Sequence, residues 1–423
     1  MLNILMLGCI PPPYGGVSVH VENLCRELTK MDNIYLLADR PLDKIKSNIY
    51  DGYTVYRPLV TVPNTNAPIS IRDFFETTLL NVRGYGFDCV KSWGEHLLQS
   101  PIFIYYGLRT EIEMLYALPL HEILNTRNVD VIHAHHACSR AYRALLACRL
   151  VKKRLPLVVT LHRGEFESRK KKQNNLVKLV LKKADKLIAV SNLVKQLAVN
   201  FSASTDRIVV IPNGVNTNLF SPLKSAGLKA RYGIEEDETL ILFVGALTES
   251  KGVSDLIASF KKVKRKNDRL LLVGGGPLEK KLRNLATSLK LQDSVVFMGV
   301  IPHWKIAEIY NLADIFVLPS YIEGLSSSLL EAMSCGKPTL TTYPSHSFRH
   351  DAVINGFNGL LVRAGDLDAL SSSLRLLVDD VKLRRKLGEN ARKTAREKFD
   401  WSIIASKIHK LYEETINQYR NKT

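Results

Sequence analysis

Two glutamates eight residues apart carry the clearest chemical signal in this sequence, in the run Glu323-Gly-Leu-Ser-Ser-Ser-Leu-Leu-Glu331. An apolar strand-like segment, Ile315–Leu318, precedes them, and Ser326 or Ser327 can cap a helix that follows. Glu323 then falls in the loop and Glu331 in the first turns of the helix. The serines and the helix start offer N–H groups to a diphosphate, because the first N–H groups of a helix have no partner within it. The carboxylates bracket that point and can accept hydrogen bonds from sugar hydroxyls at either end. A glycosidase pair is excluded by distance. Such carboxyls stand about 5–5.5 Å apart in retaining enzymes and about 6.5–9.5 Å in inverting ones. Eight residues along a helix span about 12 Å. The spacing fits two parts of one extended ligand.

Other polar residues cluster where apolar runs end, and open parallel sheets bind ligands outside the carboxyl ends of their strands. After the first run comes Pro11-Pro-Pro-Tyr-Gly15-Gly16, then a helical pattern. Gly15 and Gly16 let backbone pass close to a ligand; a plain strand-to-helix turn is the other reading. The loop is neither a dinucleotide fingerprint nor a Walker loop. In Asp130-Val-Ile-His133-Ala-His135-His136, His133 and His135 share one strand face, with His135 nearer the carboxyl end. The crowding of histidines points to a site, against the structural role a lone histidine usually has. No cysteine or carboxylate cluster nearby completes a zinc set. His162-Arg163 ends the next run. Further on, Phe243–Gly252 closes a strand and opens a helix with Lys251 in its first turn. A lysine there opposes the helix dipole, a conflict that a bound phosphate removes; a solvated lysine is the alternative.

The elements that must position these groups alternate throughout between short apolar runs and helical patterns, which predicts parallel α/β architecture. Strands are expected at Leu2–Cys9, Ile34–Ala38, Val129–Ala134, Leu157–Leu161, Leu187–Val190 and Ile208–Ile211. A second series falls at Leu240–Gly245, Arg269–Val273, Ser294–Met298, Ile315–Leu318 and Pro338–Thr342. Between the series lies the turn-rich Pro212–Pro222, read as a linker. The expected division is 1–212, 213–398 and a last helix within 399–423, whose Ile404, Ile408, Tyr412 and Ile416 share one face. A helical, aromatic stretch at about 64–125 is too long for an ordinary crossover and reads as an insertion.

A chain of 423 residues is long for one core, which favours two domains. No apolar run approaches the roughly 20 residues of a membrane span. The first residues lack the features of a signal peptide, and the six scattered cysteines form no C-x-x-C pair, which predicts a cytoplasmic protein with reduced thiols. The net charge of +18 draws the chain to anionic partners, unless it reflects only a basic proteome.

Taken together, these segments resemble the family-4 retaining glycosyltransferases of the GT-B fold. The resemblance rests on the Glu323/Glu331 motif, Ala313–Ser320, Glu331–Pro338, Ile211–Val215, Gly15-Gly16, His133-Ala-His135 and Gly356–Gly359. It covers nearly the whole chain outside the insertion. The resemblance implies two Rossmann-like domains with parallel sheets facing across a cleft, the first domain choosing the acceptor, the second holding the nucleotide sugar, and the last helix crossing back. It implies that Glu323, Gly324, Leu325 and Ser326 hold the donor sugar side, that Glu331 accepts from the ribose, and that Lys251 and Gly16 face the diphosphate. It places His135, with His162 on the same rim, beside the transferred sugar. It implies no metal and no cofactor, and a hexose moved with retention, the leaving phosphate helping to deprotonate the acceptor. UDP-sugar is the favoured donor and GDP-mannose the next. The family commonly has arginine where this chain has Ala246, so one fork-like cation is missing from the phosphate clamp; Arg163 and Arg349 are candidate replacements.

Lys152-Lys-Arg154, Arg169–Lys172, Lys178, Lys182, Lys183 and Lys186 make the first half basic, and Leu176–Ala184 has the spacing of an interfacial helix. This predicts a lipid-linked or otherwise anionic acceptor glycan and a peripheral position at the inner face of the cell membrane. Two rivals remain: a nucleotide-sugar 2-epimerase, which turns over donor without acceptor, and a nucleic-acid-binding module. The lysines lack the interleaved aromatics that the second would use, so no nucleic-acid partner is expected.

Overall fold

The computed structural model describes residues 1–9, 15–38, 47–56, 118–167, 171–223, 228–232, 234–235, 238–343 and 350–421. The Pro11–Tyr14 part of the first loop, most of the 64–125 stretch, and Arg349 lie outside the described residues. The chain forms two compact units. One comprises Met1–Ile188, Leu197–Val209 and His409–Thr423, the other Ala189–Gln196 and Val210–Ile408.

The first unit is built on β1 (Asn3–Gly8), β2 (Asn33–Ala38), β3 (Ser47–Tyr50), β4 (Tyr53–Tyr56), β5 (Val131–His135), β6 (Leu157–Leu161), β7 (Lys186–Ala189) and β8 (Ile208–Val210). Their order across the sheet is β3-β4-β2-β1-β5-β6-β7-β8. β1 runs parallel to β2 and β5, and β5 parallel to β6. β5 and β6 are buried along their whole length, the two histidines of β5 and Thr160 of β6 included, so neither shows the alternation of a half-exposed strand. β3 departs from the expected all-parallel pattern: it is an antiparallel edge strand joined to β4 by Asp51-Gly52, both at positive φ. The helices are α1 (Gly16–Leu28), α2 (Leu118–Thr126), α3 (Ser139–Leu150), α4 (Lys171–Lys183) and α5 (Asn192–Asn200), the last shared with the second unit.

On α4 the structure corrects one expectation. Val177, Val180 and Leu181 are buried in the unit's core, so the apolar face is already used inside the protein. Among the described side chains of α4, Asn175, Lys178, Lys182 and Lys183 are exposed, and an interfacial helix needs its apolar face free.

The second unit carries β9 (Leu240–Val244), β10 (Arg269–Val273), β11 (Val295–Gly299), β12 (Ile315–Leu318), β13 (Thr339–Tyr343) and β14 (Leu360–Arg363) in the order β11-β10-β9-β12-β13-β14. Every pairing is parallel. Its helices are α6 (Leu228–Arg231), α7 (Val253–Val263), α8 (Glu279–Ser288), α9 (His303–Leu312), α10 (Ser327–Ser334), α11 (Leu367–Asp379), α12 (Val381–Thr394) and the start of α13 (Trp401–Arg420). The apolar stripe of α13 is buried at Ile404, Ile408, Tyr412 and Ile416. In the first unit, where α13 ends, the Tyr412 hydroxyl lies 2.6 Å from His133 Nδ1, and His409 Nδ1 lies 2.7 Å from Asp32. Among the described residues no helix is long and apolar enough to cross a membrane.

Candidate active site

Strand order decides which loops meet. In the second sheet the chain moves outward from β9 through β10 to β11, then returns to place β12 on the other side of β9. The carboxyl ends of β9 and β12 therefore flank a topological switch point, where open α/β sheets leave a crevice. The loop after β9 ends in Lys251 and the loop after β12 carries Glu323. The two loops are fastened together: Tyr321 N–H donates to Ser250 O at 2.9 Å, and a Cβ on Gly252 would stand 2.1 Å from Pro319 O. Gly252 has φ +65°, so both its conformation and its neighbour require glycine.

This fastening brings the Lys251 ammonium onto Glu323 Oε2, with Ser320 Oγ donating to the same oxygen at 3.3 Å. Both side chains keep some exposure, 22% and 30%. Lys251 does not sit in a helix's first turn as expected. It ends a 3-10 turn, Glu249–Lys251, ahead of Gly252, the N-cap of α7. The dipole conflict read from the sequence is thus avoided by the turn, and the lysine's neighbour is a carboxylate.

Ser326 is the N-cap of α10 by position and backbone, but its hydroxyl pairs with Ser328 Oγ at 2.9 Å and not with the helix. The first N–H groups of α10 consequently have no side-chain cap. Leu325 O accepts from Asn213 Nδ2 at 2.7 Å, which fixes the Leu325–Ser326 peptide at the start of α10. A cavity of about 40 Å³ opens here, lined by Ser320, Glu323, Leu325, Ser326, His350 and Asp351 among others. His350 Nδ1 accepts from the N–H groups of Ala352 and Val353, and burial pushes its pKa down to about 4, with the Glu323 charge opposing. Asp351 accepts from Asn192 N–H and, at 2.6 Å, from Asn192 Nδ2. Burial nonetheless raises its pKa.

Glu331 lies on α10, nearly buried, and is held from α9 by two groups the sequence reading did not single out. His303 Nε2 is 3.2 Å from Oε1, and the Tyr310 hydroxyl donates to Oε2 at 2.8 Å. Burial, then the Glu331 charge, pushes the Tyr310 phenol well above its ordinary pKa, so it remains a donor. These partners come from 28 and 21 residues away, and no local pattern marks them.

The first sheet repeats the switch-point geometry at β1 and β5. After β1, Gly15 is the N-cap of α1. Its N–H donates to Ser18 Oγ at 3.0 Å, and a Cβ on Gly16 would meet nothing within 4 Å. After β5 and β6 stands a group of histidines. His135 stacks on His133 with ring centroids 4.7 Å apart, and its Nδ1 is 3.4 Å from His162 Nε2. Neither ring of the His133/His135 stack has exposed surface; the ring with access is His136. Burial drives the pKa of His133 to about 3 and holds His135 and His162 well below the usual value. Glu165, unnoticed in the sequence, organises the rim: it takes the His162 N–H at 2.9 Å and faces His136 Nδ1 at 2.9 Å. His20, His135 and His162 offer nitrogens within 4.8 Å of one another. Three imidazole nitrogens at that spacing are a donor set that could hold a metal ion. Arg163, a candidate for the missing cation, is paired with Glu167.

Two family models match separate stretches of the chain. The family described as Glycosyl transferases group 1 matches residues 226–394, and Glycosyltransferase Family 4 matches residues 96–219. The chain is 27% identical to an N-acetyl-alpha-D-glucosaminyl L-malate synthase of Bacillus anthracis, over 73% of this chain and 81% of that protein. It is 28% identical to the UDP-Gal:alpha-D-GlcNAc-diphosphoundecaprenol alpha-1,3-galactosyltransferase of Escherichia coli, over 72% and 80%. In fold it is similar to the sucrose-phosphate synthase of Thermosynechococcus elongatus, with TM-score 0.75 and 20% identity over 99% of this chain and all of that one.

Proposed function

This chain belongs to the family-4 glycosyltransferases of the GT-B fold, and from that premise we propose that it moves a hexose from a nucleoside-diphosphate sugar to an acceptor hydroxyl, with retention and without a metal ion. The observation that carries the reading is the meeting of Lys251, Glu323 and the uncapped start of α10 at the β9/β12 switch point, with Glu331 held in place behind them. Lys251 and the helix N–H groups receive the diphosphate. Glu323, with the Gly324, Leu325 and Ser326 backbone, takes the sugar's hydroxyls. Glu331 takes the ribose hydroxyls, its orientation fixed by Tyr310 and His303. In the first unit, the α1 start at Gly15 and Gly16 is assigned to phosphate; His135, which has no exposed surface, and His162 are assigned to the transferred sugar's side only through the rim they form with the more accessible His136. The reaction breaks the bond from the anomeric carbon to the phosphate oxygen and forms the bond to the acceptor oxygen on the same face. The acceptor's proton passes to the leaving phosphate.

A uridine donor is favoured because a relative carries UDP-Gal in its name, and that relative also acts on a diphosphoundecaprenol glycan. A lipid-linked, anionic acceptor suits the lysines of α4, each worth about 1 kcal/mol near an anionic surface. A thermal-shift panel of nucleotide sugars tests the donor site, since a ligand at about 100 times its Kd stabilises by about 2.7 kcal/mol. Glu323→Ala is expected to lower turnover more than nucleotide affinity, and Glu331→Ala the reverse. No shift with any nucleotide sugar, or the same profile for both variants, overturns the assignment.

A further inference from the structure

At the other end of the first sheet lies a larger cavity, of about 540 Å³. Its walls come from the amino ends of the strands: Ile132 near the start of β5, Leu157 opening β6, and Asp185 just before β7. A five-residue strand is about 16 Å long, so this cavity is separated by that length from the histidines at the carboxyl ends. Apart from Lys183 of α4, no residue lining it has a part in the function proposed above.

Its charge is lopsided. Arg149 from the last turn of α3, Lys152 and Arg154 from the α3–β6 loop, and Lys183 from the end of α4 all line it, against one carboxylate, Asp185. One Asp185 oxygen already accepts the Leu157 N–H at 2.8 Å. None of those four cations has a carboxylate within ion-pair distance among the described residues. Cations elsewhere do: Arg26 with Asp51, Arg283 with Glu279, Lys262 with Asp368. Lys153 shows what a helix-capping role looks like here, since its ammonium donates to Leu124 O at 2.8 Å; among the described residues the other four make no such bond. Lys152 also adopts φ +53°, the left-handed conformation that favours glycine after a helix. A cation is kept where glycine fits the backbone better. Apolar residues such as Leu155 and Leu157, together with Tyr419 of α13, complete the lining. An anion held against an apolar lining is screened less than one on open surface.

We propose that this cavity binds a phosphate-bearing anion, a site separate from the donor site. The chemistry suits either a free phosphorylated molecule or the headgroup of an anionic lipid. Like charges gathered without partners repel, and a phosphate with its several acceptor oxygens relieves that repulsion by bridging them.

The test uses the full chain with UDP at saturation, so that phosphate at the proposed donor site does not count. Two probes are applied: inorganic phosphate, read by thermal shift, and phosphatidylglycerol vesicles against phosphatidylcholine vesicles, read by co-sedimentation. The proteins are wild type, Lys152→Glu/Arg154→Glu, Lys152→Gly, and a control of equal charge change, Lys280→Glu/Lys281→Glu on α8. Lys152→Gly relaxes the backbone while removing a charge, so weaker binding there cannot come from misfolding. The expected result is binding by wild type and control, weakened about tenfold or more in both cavity variants. Loss of the phosphate response identifies a free phosphorylated ligand; loss confined to anionic vesicles identifies a lipid headgroup. No binding by wild type to either probe, or equal loss in the control pair, overturns the proposal. Failure here leaves nucleotide binding intact, so it is distinguishable from failure of the donor-site reading.

Discussion

Tyr310→Phe removes the hydroxyl that bonds the Glu331 carboxylate, and with it a contact to Ser328, without changing the packing around it. The ring of Tyr310 is fully buried, between Phe220 at 5.9 Å and Phe316 at 5.9 Å by ring centroids. Phenylalanine fills the same volume, so no cavity term enters. What disappears is the hydroxyl that donates to Glu331 Oε2 at 2.8 Å. Glu331 keeps His303 on its other oxygen, but Oε2, nearly sealed from water, loses this donor. Hydrogen bonds to charged groups contribute about 1.5–3 kcal/mol, and the burial of both partners argues for the middle of that range, about 2 kcal/mol. For a unit of this size that lowers Tm by about 4–8 °C. Chemical denaturation of wild type, Tyr310→Phe, Glu331→Gln and the double variant closes a thermodynamic cycle. The coupling is expected to be about 1–2 kcal/mol, with weaker UDP binding in Tyr310→Phe as the carboxylate loses its fixed orientation. Stability within about 0.5 kcal/mol of wild type, with UDP affinity unchanged, refutes the claim that α9 positions Glu331.

Three further outcomes are expected. His133, His135 and His162 are held neutral by burial, while in the unfolded chain each protonates near pH 6.5. The unfolded state thus binds more protons below that pH, and stability falls as pH drops from about 6.5 towards the folded value near 3 of His133, by about 1.4 kcal/mol per pH unit for each histidine that stays neutral. Denaturant midpoints that match at pH 7 and pH 5 would contradict this. Gly252→Ala puts a methyl 2.1 Å from Pro319 O at positive φ, so a loss of more than about 1 kcal/mol is expected, together with slower turnover as Lys251 shifts; an unaffected variant removes the loop clamp from the argument. Glu323→Gln frees Lys251 from an ion pair that, being part-exposed, is worth under about 1 kcal/mol. UDP binding is then expected to tighten by up to about fivefold while turnover falls, and weaker binding in a calorimetric titration counts against a role for Lys251 on phosphate.

The strands that position both halves were legible because they are buried on both faces. β9, with five consecutive buried residues, leaves no ambiguity in an apolar run. β14 was missed for the opposite reason: it is four residues long and only Val362 is fully buried. The β3–β4 hairpin was legible and passed over, since Asp51-Gly52 between short runs is a strong hairpin signal. The candidate residues Lys251, Glu323 and Glu331 stood out by type and loop position. Their partners did not. The Lys251–Glu323 pair spans 72 residues and exists only because β12 returns beside β9. Tyr310 sits in an amphipathic stretch where an aromatic reads as core, and it is core, with only its hydroxyl turned to Glu331. The α4 error has the same root: an apolar stripe beside lysines looks alike whether it faces lipid or the protein interior, and the interior takes it here.

The alanine at 246 changes meaning once the β9 loop is seen in place. Glycines close on that loop from the β10 side: a Cβ on Gly274 would stand 1.9 Å from Gly245 O, and one on Gly276 2.5 Å from Leu247 O. Leu247 N–H donates to Gly275 O at 3.0 Å, and Leu278 N–H returns to Leu247 O at 3.1 Å. The stretch from Gly245 to Leu247 is thus pinned backbone to backbone, and Gly252 pins the other end of the loop against Pro319. Between the two pins stands Lys251, whose charge is shared with Glu323. A missing arginine at 246 removes a charge from this loop without loosening it, because no side chain at that position holds the backbone. On the proposed reading, phosphate recognition in the second unit then rests on one lysine in a fixed loop and on the uncapped start of α10, and the carboxylate beside that lysine sets how much of its charge a diphosphate receives.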